Sequence, residues 1–154
     1  MAVQVQREDF DVGLEIRRLT SGRGDVGAVA TFIGLVRDES QAMSALILEH
    51  YPGMTERSLA TIEAEALRRW PLAGVTIIHR HGRLVPGEQI VLVAVASAHR
   101  DAAFAACEFL MDWLKTKAPF WKQEEGPDGS RWVEAKSDDD ARADRWTITP
   151  EISR

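Results

Sequence analysis

An α+β fold is predicted from three observations. Apolar, β-branched runs with strand character alternate with segments of helical periodicity; the most apolar strand passes directly into the most regular helix; and a Gly-Pro-Asp-Gly turn near the C-terminus is flanked by two short aromatic runs, the pattern of a β-hairpin. The expected architecture is a single compact domain over 1–154, with a mixed or antiparallel sheet, packed helices and a C-terminal β-hairpin, ending in an acidic tail over 136–154.

The elements follow in order. Asp11 to Leu19 reads as a short helix carrying Leu14, Ile16 and Leu19. Val26 to Val36 reads as a strand, and its Gly27 and Gly34 suggest close backbone approach or a bulge. Arg37 to Gln41 is polar and reads as a loop. Ala45 to Tyr51 is a second strand, closed by the turn signal Pro52-Gly53. Thr55 to Trp70 reads as a helix, because Leu59, Ile62, Ala66 and Trp70 recur at three- and four-residue spacing, Glu56 suits the first turn, and Pro71 lies beyond the end.

Val75 to His79 and Gln89 to Ser97 are strands joined through Gly82, Pro86 and Gly87, and the second is apolar on both faces, as a central strand must be. Arg100 to Lys117 is the best helix. Ala103, Phe104, Cys107, Leu110, Met111 and Leu114 form its apolar stripe, and Pro119 stops it. The hairpin pairs Phe120-Trp121-Lys122-Gln123 with Arg131-Trp132-Val133-Glu134. The tail from Lys136 is expected to be partly helical and to pack through Trp146.

Composition narrows the function classes. The chain is 45% hydrophobic and 28% charged, ordinary for a soluble globular protein. Its longest apolar run, Ile90 to Ala96, is far short of the roughly 20 residues a membrane span needs, and Met1 to Arg7 has no apolar signal-peptide core. A lone cysteine, Cys107, allows neither an intrachain disulfide nor a cysteine metal cage. These features favour the cytoplasm. A net charge of −5 argues against a nucleic-acid or anionic-membrane surface, so any anion site must be a local pocket.

Basic residues sit beside structural punctuation at five places: Arg37 at a strand end, His99-Arg100 at a strand-to-helix junction, Lys115 in the last turn of that helix, Lys122 just beyond it, and Lys136 after the hairpin. The junction is the most informative. A helix N-terminus exposes unpaired N–H groups and about half a positive charge, so Arg100 there is unfavourable unless an anion or a carboxylate such as Asp101 answers it. Taken in isolation, Lys115 is better read as complementing the helix dipole and pairing with Asp112, and Lys122 as forming a surface ion pair with Glu124 or Glu125. Phe120 and Trp121 suit a core better than a stacking platform. Cys107, mid-helix on the apolar stripe, reads as buried and inert. His50 beside a turn reads as structural. His79 and His81, two apart with no third ligand nearby, do not make a metal site, and none is expected.

Six stretches, taken together and in order, resemble the molybdopterin synthase large (catalytic) subunit family. They are Phe32-Ile33-Gly34-Leu35-Val36-Arg37, Leu48-Glu49-His50-Tyr51-Pro52-Gly53-Met54, Ile78-His79-Arg80-His81-Gly82, Ser97-Ala98-His99-Arg100, Leu114 through Lys122, and Arg131-Trp132-Val133-Glu134-Ala135. The resemblance implies an α/β hammerhead-like domain and a sulfurtransferase. Its substrate would be cyclic pyranopterin monophosphate, and its product molybdopterin with a dithiolene. Sulfur would arrive as a thiocarboxylate on the C-terminal Gly-Gly of a small ubiquitin-like subunit, with two large subunits forming a homodimer inside a heterotetramer. No cofactor is implied.

The family's substrate pocket maps onto Leu35, Val36, Arg37, His99, Arg100, Lys115, Lys122, Gln123 and Glu124, with Lys136 at a position often occupied by arginine in relatives. Lysine there keeps the charge and loses the bidentate fork. Lys115 is assigned as principal acid/base and oxyanion stabiliser, supported by Lys122. Two other readings are a non-catalytic adaptor for the tail of a ubiquitin-like carrier, which the intact lysine pair disfavours, and a persulfide transferase acting through Cys107. The second yields a direct prediction. Cys107→Ala keeps most of the sulfur-transfer activity and loses about 1 kcal/mol of stability at most, read by denaturant titration beside a turnover assay. A folded variant with no transfer would restore the persulfide reading.

Overall fold

The computed structural model describes residues 3–133 and 137–147. In chain order the elements are β1 (Val3–Gln6), α1 (Val12–Thr20), β2 (Ala28–Leu35), β3 (Ala45–His50), α2 (Met54–Arg69), β4 (Leu72–Arg80), β5 (Gly82–Leu84), β6 (Gln89–Ser97), α3 (Arg100–Thr116), β7 (Phe120–Gly126), β8 (Gly129–Val133) and α4 (Ser137–Asp144). The α+β expectation holds, with one refinement: the strands divide into two four-stranded sheets, β1-β4-β6-β2 and β5-β3-β7-β8. The first is mixed, because β1 runs parallel to β4; the second is antiparallel throughout.

Strand β6 is central, paired on both sides, and every residue from Val91 to Ser97 is buried, as its two-faced apolarity requires. One face of the first sheet is covered by α2 and α3 through Leu59, Ile62, Ala66, Ala106, Phe109 and Leu110. The other is covered by α1, whose Val12, Ile16 and Leu19 pack on Ile78, Leu92 and Ala94. Helix α1 starts where expected: the Asp11 carboxylate accepts from the Leu14 amide at 3.0 Å. A third cluster, Val36, Leu46, Leu48 and Leu84, fills the second sheet and includes Ile90 at the start of β6.

Two strands were not predicted. Strand β1 is only four residues long, with a single buried side chain, Val3, so it carries no periodic signal of its own. Strand β5 lies where the sequence indicates a turn, and three residues are too few to outweigh the flanking glycine and proline. The described part of the tail, residues 137–147, is partly helical and packs through Trp146, as expected. Trp146 packs edge-on against Trp70 and Phe109, and its backbone oxygen accepts from Arg69 at 3.0 Å.

The glycine expectations also hold. The ladder shifts register between Gly34 and Leu35, a bulge that turns the chain out of β2. Gly27 donates to the Ser97 oxygen at 3.0 Å, and a Cβ on it would stand 2.2 Å from the Ala98 oxygen. Backbone cannot yield there as a flexible side chain would. Gly27→Ala is therefore expected to destabilise the fold by about 2 kcal/mol or more, seen as a lower urea midpoint with unchanged slope. A midpoint within error of wild type would show that the Ala98 carbonyl can move aside.

Candidate functional site

Helix α3 emerges from β6 through only Ala98 and His99 and lies back along the sheet, Cys107 Sγ resting 4.0 Å from the Val93 oxygen. Its C-terminal end therefore returns to the Gln89 end of β6. Strand β2 runs antiparallel to β6, with Ala28 opposite Ser97 and Leu35 opposite Gln89, so it delivers Leu35, Val36 and Arg37 to that same end. The end of β4 arrives there too, His79 lying opposite Val91.

The predicted residues consequently fall into two groups. Leu35, Val36, Arg37, Lys115, Lys122, Gln123 and Glu124 belong to the Gln89 end. His99 and Arg100 belong to the Ser97 end, about 22 Å from Lys115 at 1.5 Å of rise per residue. Lys136 lies outside the described residues.

Within the first group the roles of the side chains differ. Lys122 pairs across β7 with Leu48, and Glu124 with Leu46, so both stand on the face of the second sheet that holds Val36 and Leu84. Gln123, opposite Ile47 and Trp132, faces the other way. Val36 is buried at 4% exposure and its backbone is engaged by Glu88 and Gly87, so its side chain is core rather than lining. Leu35 is exposed at the bulge. Arg37 pairs with Glu39, and Arg131 with Glu124 at 2.8 Å; the four border a concavity of about 300 Å³.

The cations at the two ends of α3 are placed differently from their ordinary expectations. Asp112 does not pair with Lys115. It is buried and accepts from Arg145 Nη2 at 2.7 Å and from Trp146 Nε1 at 2.6 Å. Among the described residues neither Lys115 nor Arg100 has a carboxylate partner, and both are exposed. His99 caps α3 without a side-chain bond. Cys107 is buried as expected, and burial pushes its thiol up to about 11, away from any nucleophilic role at neutral pH.

Sequence reasoning passed over a group of rings beside the lysines. His79 is 8% exposed and stacks on Phe120 at 3.8 Å between centroids, 17° from parallel. His50 lies 4.4 Å from His81 and 6.1 Å from Phe120. The Arg80 carbonyl, 2.8 Å from His79 Nδ1, can only accept, so the Nδ1 proton is fixed. Burial first, and then the charges of Lys122, Lys115 and His50, hold His79 down to about 3, which keeps the ring neutral. The available signal was alternation: His79 follows Val75 and Ile77 on the inward period of β4. No cluster of three or more metal-ligating groups exists among the described residues, and no described helix is long and apolar enough to cross a membrane.

Residues 5–117 match the family described as "MoaE protein". A curated relative from Mesorhizobium japonicum, named molybdopterin synthase catalytic subunit, is 61% identical over 97% of this chain and 95% of its own. A solved structure from Burkholderia ambifaria, a molybdopterin biosynthesis MoaE protein, superposes with a TM-score of 0.83 at 52% identity, covering 97% of this chain and all of that one. The crystal structure of molybdopterin synthase from Staphylococcus aureus gives 0.77 at 34% identity, over 84% of this chain and 95% of that one.

The buried neutral histidine carries a pH prediction. The unfolded chain binds a proton on this ring near pH 6.5 and the folded chain only near 3. Between those values the unfolded state holds more protons, so the stabilisation is whole above the window and is lost as pH falls through it. From pH 7 to 4.5 the wild type should lose about 2 kcal/mol more than His79→Phe, measured by urea denaturation at each pH. Parallel losses would mean that this ring does not carry the acid sensitivity.

Proposed function

The chain belongs to the MoaE protein family, and from this premise we propose that it transfers sulfur from the thiocarboxylated C-terminus of a small ubiquitin-like carrier to cyclic pyranopterin monophosphate, building the dithiolene of molybdopterin. The relatives are catalytic subunits, which sets the adaptor reading aside. The single observation that carries the residue assignment is Lys115. It stands at the end of α3 without a carboxylate partner among the described residues, and its charge, like that of Lys122, reaches the neutral His79.

The chemistry needs an acid and a base near the pterin side chain and a cation facing the oxyanion that forms when water cleaves the acyl–sulfur bond and returns the carrier as a carboxylate. Lys115 fills the first and last needs, and Lys122 supports it and binds substrate. Arg37, His99 and Arg100 supply cationic hold on the phosphate, with Leu35 and Glu124 at the rim. Lys136 completes the set as a proposed substrate contact. The direct test incubates the protein with precursor and thiocarboxylated carrier and follows the pterin by mass spectrometry; two added sulfur atoms support the reading, and an unchanged pterin refutes it.

The 22 Å between Lys115 and Arg100 is too long for one small substrate to bridge within a chain. A homodimer resolves it. Strand β2 is an edge strand with Phe32, Ile33 and Leu35 exposed, and Phe104 on the neighbouring α3 is 64% exposed. Two copies meeting along this edge about a two-fold axis would set the Ala28 end of one β2 beside the Leu35 end of the other. His99 and Arg100 of one chain then approach Arg37 and Lys115 of its mate. A carrier bound to each large subunit would make the assembly a heterotetramer.

This arrangement predicts complementation between two inactive variants. Lys115→Ala and Arg100→Ala are each expected to fall at least about a hundredfold in turnover while still binding the carrier. Unfolded together in equal amounts and refolded, they should form mixed dimers as about half of the total, in which one site carries both lesions and the other none. Roughly one quarter of wild-type sites return. Activity that stays at the level of the separate variants, with mixed dimers confirmed by native mass spectrometry, would refute a shared site.

A further inference from the structure

The stacked pair of His79 and Phe120 lies within reach of the charges of both lysines. Phe120 opens β7 two residues before Lys122, so both side chains project from the same face of that strand. On the other side Phe120 is tied to α3 by a short, bonded turn: the Lys117 amide donates to the Trp113 oxygen at 2.8 Å, and the Phe120 amide to the Ala118 oxygen at 2.8 Å. The segment carrying both lysines thus runs from the last turn of α3 into β7, with Phe120 between them. The ring against Phe120 belongs to the first sheet: His79, on β4, fixed by the Arg80 carbonyl and buried at 8% exposure. His50 of β3 flanks the pair from the second sheet, with His81 beyond it.

We propose that His79 is a positioning residue for sulfur transfer: by stacking on Phe120 it locks the turn between α3 and β7, and so sets Lys122 against Lys115. This inference rests on the proposed function of the lysine pair. A stack of this kind adds a modest attraction beyond the area it buries, enough to hold a short turn in register and too little to determine the fold. Its loss therefore changes the geometry of the reacting groups more than the binding of either substrate. Misplacing a catalytic group by about 1 Å costs on the order of a hundredfold in rate.

The test compares three variants of the complete protein, supplied with precursor and thiocarboxylated carrier. His79→Leu fills the site without a ring, Phe120→Leu breaks the stack from the other side, and His79→Phe keeps an aromatic pair. The two leucine variants are expected to lose about tenfold or more in kcat, with KM for the precursor and affinity for the carrier within about threefold of wild type. His79→Phe should return kcat to within about threefold.

A folded His79→Leu protein with undiminished kcat overturns the proposal. So does a His79→Phe protein as slow as His79→Leu, because the ring nitrogens rather than the stack would then matter. If His79→Leu fails to fold, Phe120→Leu, at a partly exposed position, decides in its place. Lys115→Ala runs alongside: if it retains turnover, the reading of the lysine site has failed, whereas an inactive Lys115→Ala beside an unaffected His79→Leu isolates the failure to this inference.

Discussion

The two-residue passage from β6 into α3 constrains everything else in this fold. A connection that short leaves the helix one option, to fold back along the strand it came from, and the burial of Ala103, Ala106, Phe109 and Leu110 against the first sheet holds it there. The helix is 17 residues long, so its start and its end sit at opposite ends of the strands. Arg100 and Lys115 are separated by the geometry of a well-packed helix, and no side-chain movement can bring them together within the chain. What reads in the sequence as one basic set lies in two separate places, one at each end of α3. The exposed β2 edge is the element whose symmetry could rejoin them.

The second sheet acts as a bracket for one of those places. The bulge at Gly34 and Leu35 turns the chain out of β2, and Val36 then inserts among Leu46, Leu48 and Leu84. This small apolar cluster anchors the segment on which Arg37 stands and also underlies Lys122 and Glu124. Burial of Val36 therefore contributes to the site indirectly, by directing its neighbour. The same distinction separates Gln123 from Lys122 and Glu124. Strand alternation sends one residue to the far face, however contiguous the three are in sequence.

Most of the elements were legible because their signals are local. Periodicity in α2 and α3, two-faced apolarity in β6, and the Gly-Pro-Asp-Gly turn between β7 and β8 each declare themselves within a dozen residues. Strand β1 was not, because four residues with one buried side chain owe their structure to β4 rather than to themselves. For the site, the basic residues could be named from their positions beside strand and helix ends and from family resemblance. Their grouping could not, since it depends on register: Leu35 opposite Gln89, and His79 opposite Val91. The role of Phe120 shows the same limit. A sequence marks it as a core aromatic, and only the fold reveals that the core it enters is a histidine ring beside two lysines.

The distribution of carboxylates gives the site its sign in a chain of net charge −5. Three acidic residues near it are matched to arginines: Glu39 to Arg37, Glu124 to Arg131, and Asp112 to Arg145. Asp112 matters most, because it lies three residues from Lys115 on the same helix and would be its natural partner. By engaging Arg145 and the Trp146 indole instead, Asp112 ties the C-terminal segment to α3 and leaves Lys115 without a neutralising neighbour among the described residues. Arg100 is likewise unmatched, at the end of the helix where the backbone dipole already disfavours a cation. Both positions hold charge that no described carboxylate answers. A phosphate at one and a developing oxyanion at the other would each supply the missing negative charge, and the second appears only as the reaction proceeds, which is the condition under which a cation accelerates a step instead of merely binding its substrate.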